Sequence, residues 1–130
     1  MDFAWYMRLP FADKGRDLNG VDCWGLVRLV LLREYGLRVP SYADAYLDAE
    51  DESAQAAIGL FSRDWLRVPA ERTRNGDVIV FHVFGAPTHC GVIVSPGTFM
   101  HIFNRRGVAC EEYVREPWRS RIEGFYRWPI

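Results

Sequence analysis

The second half of the chain leaves little choice of architecture. Beyond Pro69, short β-branched and aromatic runs are separated by "GAPT", "SPGT" and "RRG", connections that fit tight hairpins. The pattern predicts successive antiparallel strands over residues 77–84, 89–94, 99–104, 108–113 and 124–128. Such a sheet has an apolar face that something must cover. A strongly apolar helix is predicted over residues 23–35, "CWGLVRLVLLREY", where Trp24, Val27, Val30, Leu31 and Tyr35 approximate a spacing of three and four. Arg28, Arg33 and Glu34 fall mainly off that stripe. Gly36 and Pro40 end the segment, and Asn19 or Asp22 can cap its start. A second helix is expected over residues 51–61, continuing toward Trp65, with Ala54, Ala57, Ile58 and Phe61 inward. The expected class is α+β, with N-terminal helices packed on a C-terminal antiparallel sheet of five to six strands, and residues 1–130 forming one domain.

Composition narrows the function classes. Hydrophobic residues make up 49% of the chain and aromatic residues 15%, enough core formers to exclude a disordered polymer. The net charge of −1 lacks the basic excess that nucleic-acid binding requires, and the arginines at 115, 119, 121 and 127 read as a solvated face. No apolar run is long enough to insert in a membrane, and "MDFAWYMRLPFADKG" does not resemble an export signal. Synthesis in the cytoplasm without a signal peptide is therefore expected. The cysteines, Cys23, Cys90 and Cys110, are odd in number and irregularly spaced, which suggests neither a disulfide framework nor a zinc ribbon. Cys90 and Cys110 are expected in the core.

Cys23 stands apart because a helix start favours the thiolate, the form in which cysteine attacks. Such a nucleophile needs a base and a group to orient that base. The histidines, His82, His89 and His101, all lie in the strand-rich half. Alternation places His89, Gly91 and Ile93 on one strand face and Cys90, Val92 and Val94 on the other, so only one of His89 and Cys90 is expected to face Cys23. Gly91 is expected to leave open space beside His89. The returning strand "FMHIFN" carries His101 alongside, where it can hold the His89 ring, with Asn104 as a second candidate. Asp22 and Trp24 are candidate substrate contacts, Asp22 also being a candidate cap. The backbone N–H groups of Cys23 and Trp24 are candidates for stabilising an oxyanion.

These residues resemble a known family. "GVDCWGLV" is similar to the nucleophile motif D-C-[SW]-G-L of the NlpC-like cysteine peptidases, papain-like bacterial cell-wall endopeptidases. "GDVIVF", "HCGVIV" and "FMHIF" follow in that family's order, with His101 twelve residues after His89. The resemblance implies a papain-like fold, Cys23 as nucleophile, His89 as general base and acid, and His101 as the orienting third member. It implies no cofactor. Its substrate would be the peptidoglycan stem peptide, cut beside the γ-D-glutamyl residue, commonly at its bond to diaminopimelate. Exported relatives carry an upstream tyrosine where Phe11 stands here; the nearest upstream tyrosine is Tyr6. Trp24 in place of serine, with "LPFADKG" and "VPSY", resembles phage and prophage tail proteins, which implies a place in a virion tail and tail-tip proteins as partners.

Three other readings compete. A non-catalytic tail-tip or assembly subunit could keep the same fold. A metal site could draw on His82, His89, Cys90 and His101, although alternation separates His89 from Cys90. Acyl transfer could replace hydrolysis at the same cysteine.

Overall fold

The computed structural model describes residues 1–42, 63–83, 86–103 and 106–129. A short helix α1 (Phe3–Met7) leads into a two-stranded ribbon, β1 (Arg16–Asp17) and β2 (Gly20–Val21), and then into α2 (Cys23–Tyr35). The remaining strands are β3 (Leu66–Val68), β4 (Val78–Val83), β5 (Ala86–Ser95), β6 (Thr98–Phe103), β7 (Gly107–Glu112) and β8 (Ile122–Arg127). These form a six-stranded antiparallel sheet in the order β3-β8-β4-β5-β6-β7. The expected class is observed, with the last strand inserted between β3 and β4. The expected helix over residues 51–61 lies outside the described residues. Among the described residues no helix is long and apolar enough to cross a membrane.

Helix α2 has the expected ends. The Asp22 side chain accepts from the Gly25 N–H at 2.8 Å, and Gly36 closes the other end in the left-handed conformation at φ 66°. The buried set is wider than a one-sided stripe, comprising Trp24, Gly25, Leu26, Val27, Val30 and Leu31, while Tyr35 is exposed. The extra burial arises because the helix is covered from two sides. The sheet packs on one side, and the chain before the helix crosses the other, where Gly15 O would lie 2.0 Å from a Cβ placed on Gly25. Only glycine permits that approach.

Both faces of the sheet are buried, a departure from a single core under the helices. Toward α2 the strands present Val78, Val80, Cys90, Val92, Met100 and Ile102. The opposite face presents Ile79, Phe81, Ile93, Phe99 and Phe125, covered by Tyr113 and Trp118 from the irregular segment after β7. Cys110 is exposed, contrary to expectation, because β7 is the edge strand. Where β8 meets β4, Arg127 donates to both carboxylate oxygens of buried Asp77 at 2.8 Å, a bidentate pair that ties the chain end to the sheet.

Gly25→Ala is expected to destabilise the fold by about 2 kcal/mol or more, since the methyl group meets backbone rather than a yielding side chain. Urea denaturation followed by circular dichroism checks this: the midpoint should fall with little change in slope. An unchanged midpoint would contradict the close approach.

Candidate active site

Cys23 is half-buried at the first turn of α2, and a buried carboxylate fixes its position. Asp22 is 1% exposed. One of its oxygens accepts from Gly25 N–H and from the Arg16 guanidinium, each at 2.8 Å, and the other accepts from Lys14 N–H at 3.1 Å. Arg16 is held in turn, donating to the Gly15 carbonyl and to the carbonyl and hydroxyl oxygens of Ser41. The segment after α2 thus straps back over the start of the helix. Trp24 completes the strap, its indole buried and its Nε1–H donating to the Pro40 carbonyl at 2.9 Å. Asp22 and Trp24 were candidate substrate contacts. Both are buried and engaged in building the loop and the helix start. Tyr6 supplies no hydroxyl here either, being fully buried and donating to Glu34 at 2.5 Å.

The sheet contributes two imidazoles. His89 pairs with Phe81 across β4–β5, and immediately beyond it the register slips, so that His82 faces Pro87. Irregularities of this kind re-aim the neighbouring side chains. His89 Nε2 lies 2.9 Å from His101 Nδ1, which leaves Nδ1 of His89 as the nitrogen available to another partner. The two rings are buried and enclosed by aromatic side chains: Phe103 stacks on His89 at 4.3 Å and 12°, and Trp118 lies 4.9 Å from His101 and 5.9 Å from His89. Gly91 does not leave open space. A Cβ there would lie 2.8 Å from a Phe99 ring carbon and 3.3 Å from His101 Cβ, so the missing side chain lets β6 bring His101 in beside His89.

The pair extends further than expected. His101 Nε2 lies 2.5 Å from a carboxylate oxygen of Glu111 on β7. His101 sits opposite Ala109 and Phe99 opposite Glu111, so the contact runs diagonally across the hairpin, over the small Ala109. Burial holds the His101 pKa below its ordinary value, and the neighbouring His89 charge acts in the same direction against the pull of Glu111. For Glu111 burial works against ionisation. The nearby Trp118 indole N–H, the His101 contact and the Arg106 charge outweigh it and lower the carboxyl pKa.

The Cys23 thiol is held well below the ordinary thiol range. A hydrogen bond from Cys90 is the largest cause. Burial opposes it, and the hydrogen bond and charge of His89 add to the lowering. The Cys90 thiol moves the opposite way, pushed up by Cys23 and by burial. Cys23 therefore feels both residues, although alternation was expected to admit only one: Cys90 belongs to the core beneath α2, and His89 acts beside the register slip. A thiolate beside an imidazole can attack a carbonyl and then pass a proton to the leaving group. His82 is exposed on β4, and among the described residues no three ligating side chains converge as a metal site would need. Asn104, the second candidate for orienting His89, lies outside the described residues. Sequence reasoning missed Glu111 and Trp118. A signal for Glu111 existed, because alternation in a β6–β7 hairpin puts residue 111 on the face of His101.

No curated protein sequence matches the chain. Among solved structures it is similar to an NLP/P60 family lipoprotein-like protein from Staphylococcus aureus, with 21% identity and a TM-score of 0.66 over 96% of this chain and 38% of that one. It is similar to an NlpC/P60 family protein from Bacillus cereus, with 20% identity and a TM-score of 0.68 over 95% of this chain and 36% of that one. The peptidoglycan hydrolase RipB from Mycobacterium tuberculosis is a further structural neighbour, at 21% identity and a TM-score of 0.58, covering 94% of this chain and 58% of that one. The chain thus spans well under half the length of the first two, and the likeness concerns the fold. The NlpC/P60 family model matches residues 8–127, and the chain belongs to the NlpC/P60 family.

Proposed function

We propose that the protein is a peptidoglycan endopeptidase that cuts stem peptides at a γ-D-glutamyl bond, with Cys23 as nucleophile, His89 as base and acid, and His101 as the group that orients His89. The observation that carries this reading is the His89–His101 contact at 2.9 Å together with the action of His89 on the Cys23 sulfur. Membership of the NlpC/P60 family and the likeness to a peptidoglycan hydrolase support the substrate class. The bond between γ-D-glutamate and diaminopimelate follows from the motif resemblance.

In this mechanism the Cys23 thiolate adds to the scissile carbonyl, and N–H groups at the start of α2 stabilise the oxyanion. As the tetrahedral adduct collapses, protonated His89 Nδ1 gives its proton to the departing amine, leaving a thioester on Cys23. Neutral His89 then takes a proton from water, which attacks the thioester and releases the new carboxylate and the thiolate. The protein's place in a virion tail is a further part of the proposal. It rests on Trp24 following Cys23 and on the stretches "LPFADKG" and "VPSY".

Digestion of purified peptidoglycan tests the activity. The wild type should release muropeptides ending in γ-D-glutamate, identifiable by mass spectrometry, and Cys23→Ala should lose at least about a thousandfold in rate. Equal release by both would remove Cys23 from the reaction. No release by a folded wild type would favour the non-catalytic subunit, and new amide products with an added amine would indicate acyl transfer.

The lowered thiol pKa has a measurable sign. Thiolate persists as pH falls, so alkylation of Cys23 by iodoacetamide should stay fast well below pH 8, where an ordinary thiol of pKa about 8.5 loses tenfold per unit. His89→Ala should move the profile toward that of an ordinary thiol. A wild-type profile already matching one would contradict the thiolate assignment.

A further inference from the structure

We propose that Glu111 is a positioning residue for this site, setting the proton arrangement of His89 through His101. The inference rests on the reading that Cys23 and His89 react, and it adds a carboxylate two rings away from the sulfur. The geometry is specific. Glu111 Oε2 lies 2.5 Å from His101 Nε2, and His101 Nδ1 lies 2.9 Å from His89 Nε2, so the groups form an unbroken line from a half-exposed carboxylate to the nucleophile's partner.

A neutral imidazole carries one N–H and one lone pair. A carboxylate at His101 Nε2 accepts a hydrogen bond, which places the His101 proton on Nε2 and leaves Nδ1 as an acceptor. His89 Nε2 must then be the N–H that donates to it. Neutral His89 is left with a bare Nδ1, the form able to take a proton from the Cys23 thiol. Without the carboxylate the opposite arrangement becomes available: His101 carries its proton on Nδ1, donates to His89 Nε2, and His89 presents Nδ1–H where a base is needed. A proton choice at Glu111 therefore decides whether His89 is a base.

The surroundings favour an ionised acceptor at this position. Arg106 from the β6–β7 turn and the Trp118 indole from the segment after β7 act on Glu111, and His101 acts from the neighbouring strand. Ala109, opposite His101, leaves the diagonal path clear. A side chain merely facing solvent from an edge strand would have no reason to reach a fully buried ring.

The test uses Glu111→Gln and Glu111→Ala in the whole chain, with thermal melts to verify folding. Gln keeps the shape but can present an amide N–H to His101, inviting the opposite arrangement. In a Cys23→Ala background that keeps Glu111, long-range proton–nitrogen NMR of the histidine rings should show Nε2–H on both His89 and His101 at neutral pH. In the Glu111 variants that pattern should be lost. The alkylation profile of Cys23 should shift to higher pH in either variant, with about a tenfold slower rate at pH 6, and peptide release should fall about ten- to a hundredfold in kcat with KM little changed. Glu111→Asp should recover part of the rate. Folded variants that keep the wild-type ring pattern and alkylation profile would overturn the proposal. A wild type that releases no peptide, while ring pattern and alkylation respond to Glu111 as stated, would overturn the peptidoglycan reading and uphold the role of Glu111.

Discussion

The buried carboxylate of Asp22 holds the site in place. It takes hydrogen bonds from Gly25 in the helix, from Lys14 in the preceding loop and from Arg16, which is itself tied to the irregular segment after the helix through Ser41. A carboxylate with few partners would be costly to bury. With these donors it converges three stretches of backbone on one point, and the neighbouring residue is Cys23. The sulfur is therefore placed by this network together with its packing against the core. The absence of a side chain on Gly25 belongs to the same arrangement, because it lets the Gly15 carbonyl lie against the helix.

The sheet solves a different problem, bringing two polar rings together where water is excluded. His89 and His101 share the face occupied by Ile79, Phe81, Ile93 and Phe99, away from the main body of α2. Trp118 and Phe103 close over them. Burial of this kind, together with the neighbouring His89, disfavours charge on His101. Glu111, at the solvent edge, gives the buried pair a fixed polarity without placing a carboxylate inside the aromatic box.

Much of this was legible in the sequence because local chemistry and global fold agree. Asp22 and Gly36 mark the ends of α2 by the groups a helix end requires, and the short hairpin connections define the strand order from β4 to β7. Alternation found the shared face of His89 and Gly91. It misjudged Gly91, since an absent side chain can mark a place that a neighbour fills. The partners of Asp22 and Trp24, Arg16 and Pro40, are set by tertiary folding and do not show in the local spacing. The short strand β3 lacks the length to show alternation. Trp118 lies in an irregular segment without periodicity, and Glu111 reads as an ordinary edge-strand charge until the diagonal contact is seen. These misses share a cause: each depends on what lies across the fold, which spacing along the chain does not encode.

The central claim is that the Cys23 sulfur bonds covalently to the substrate acyl group during turnover. Acid quenching of the wild type in mid-reaction with a purified stem peptide, followed by peptide mapping and mass spectrometry, measures this directly. The expected result is an acid-stable thioester confined to the peptide containing Cys23, with the mass of the fragment on the carbonyl side of the cut. Peptide release accompanied by an acyl adduct on another residue would contradict the account.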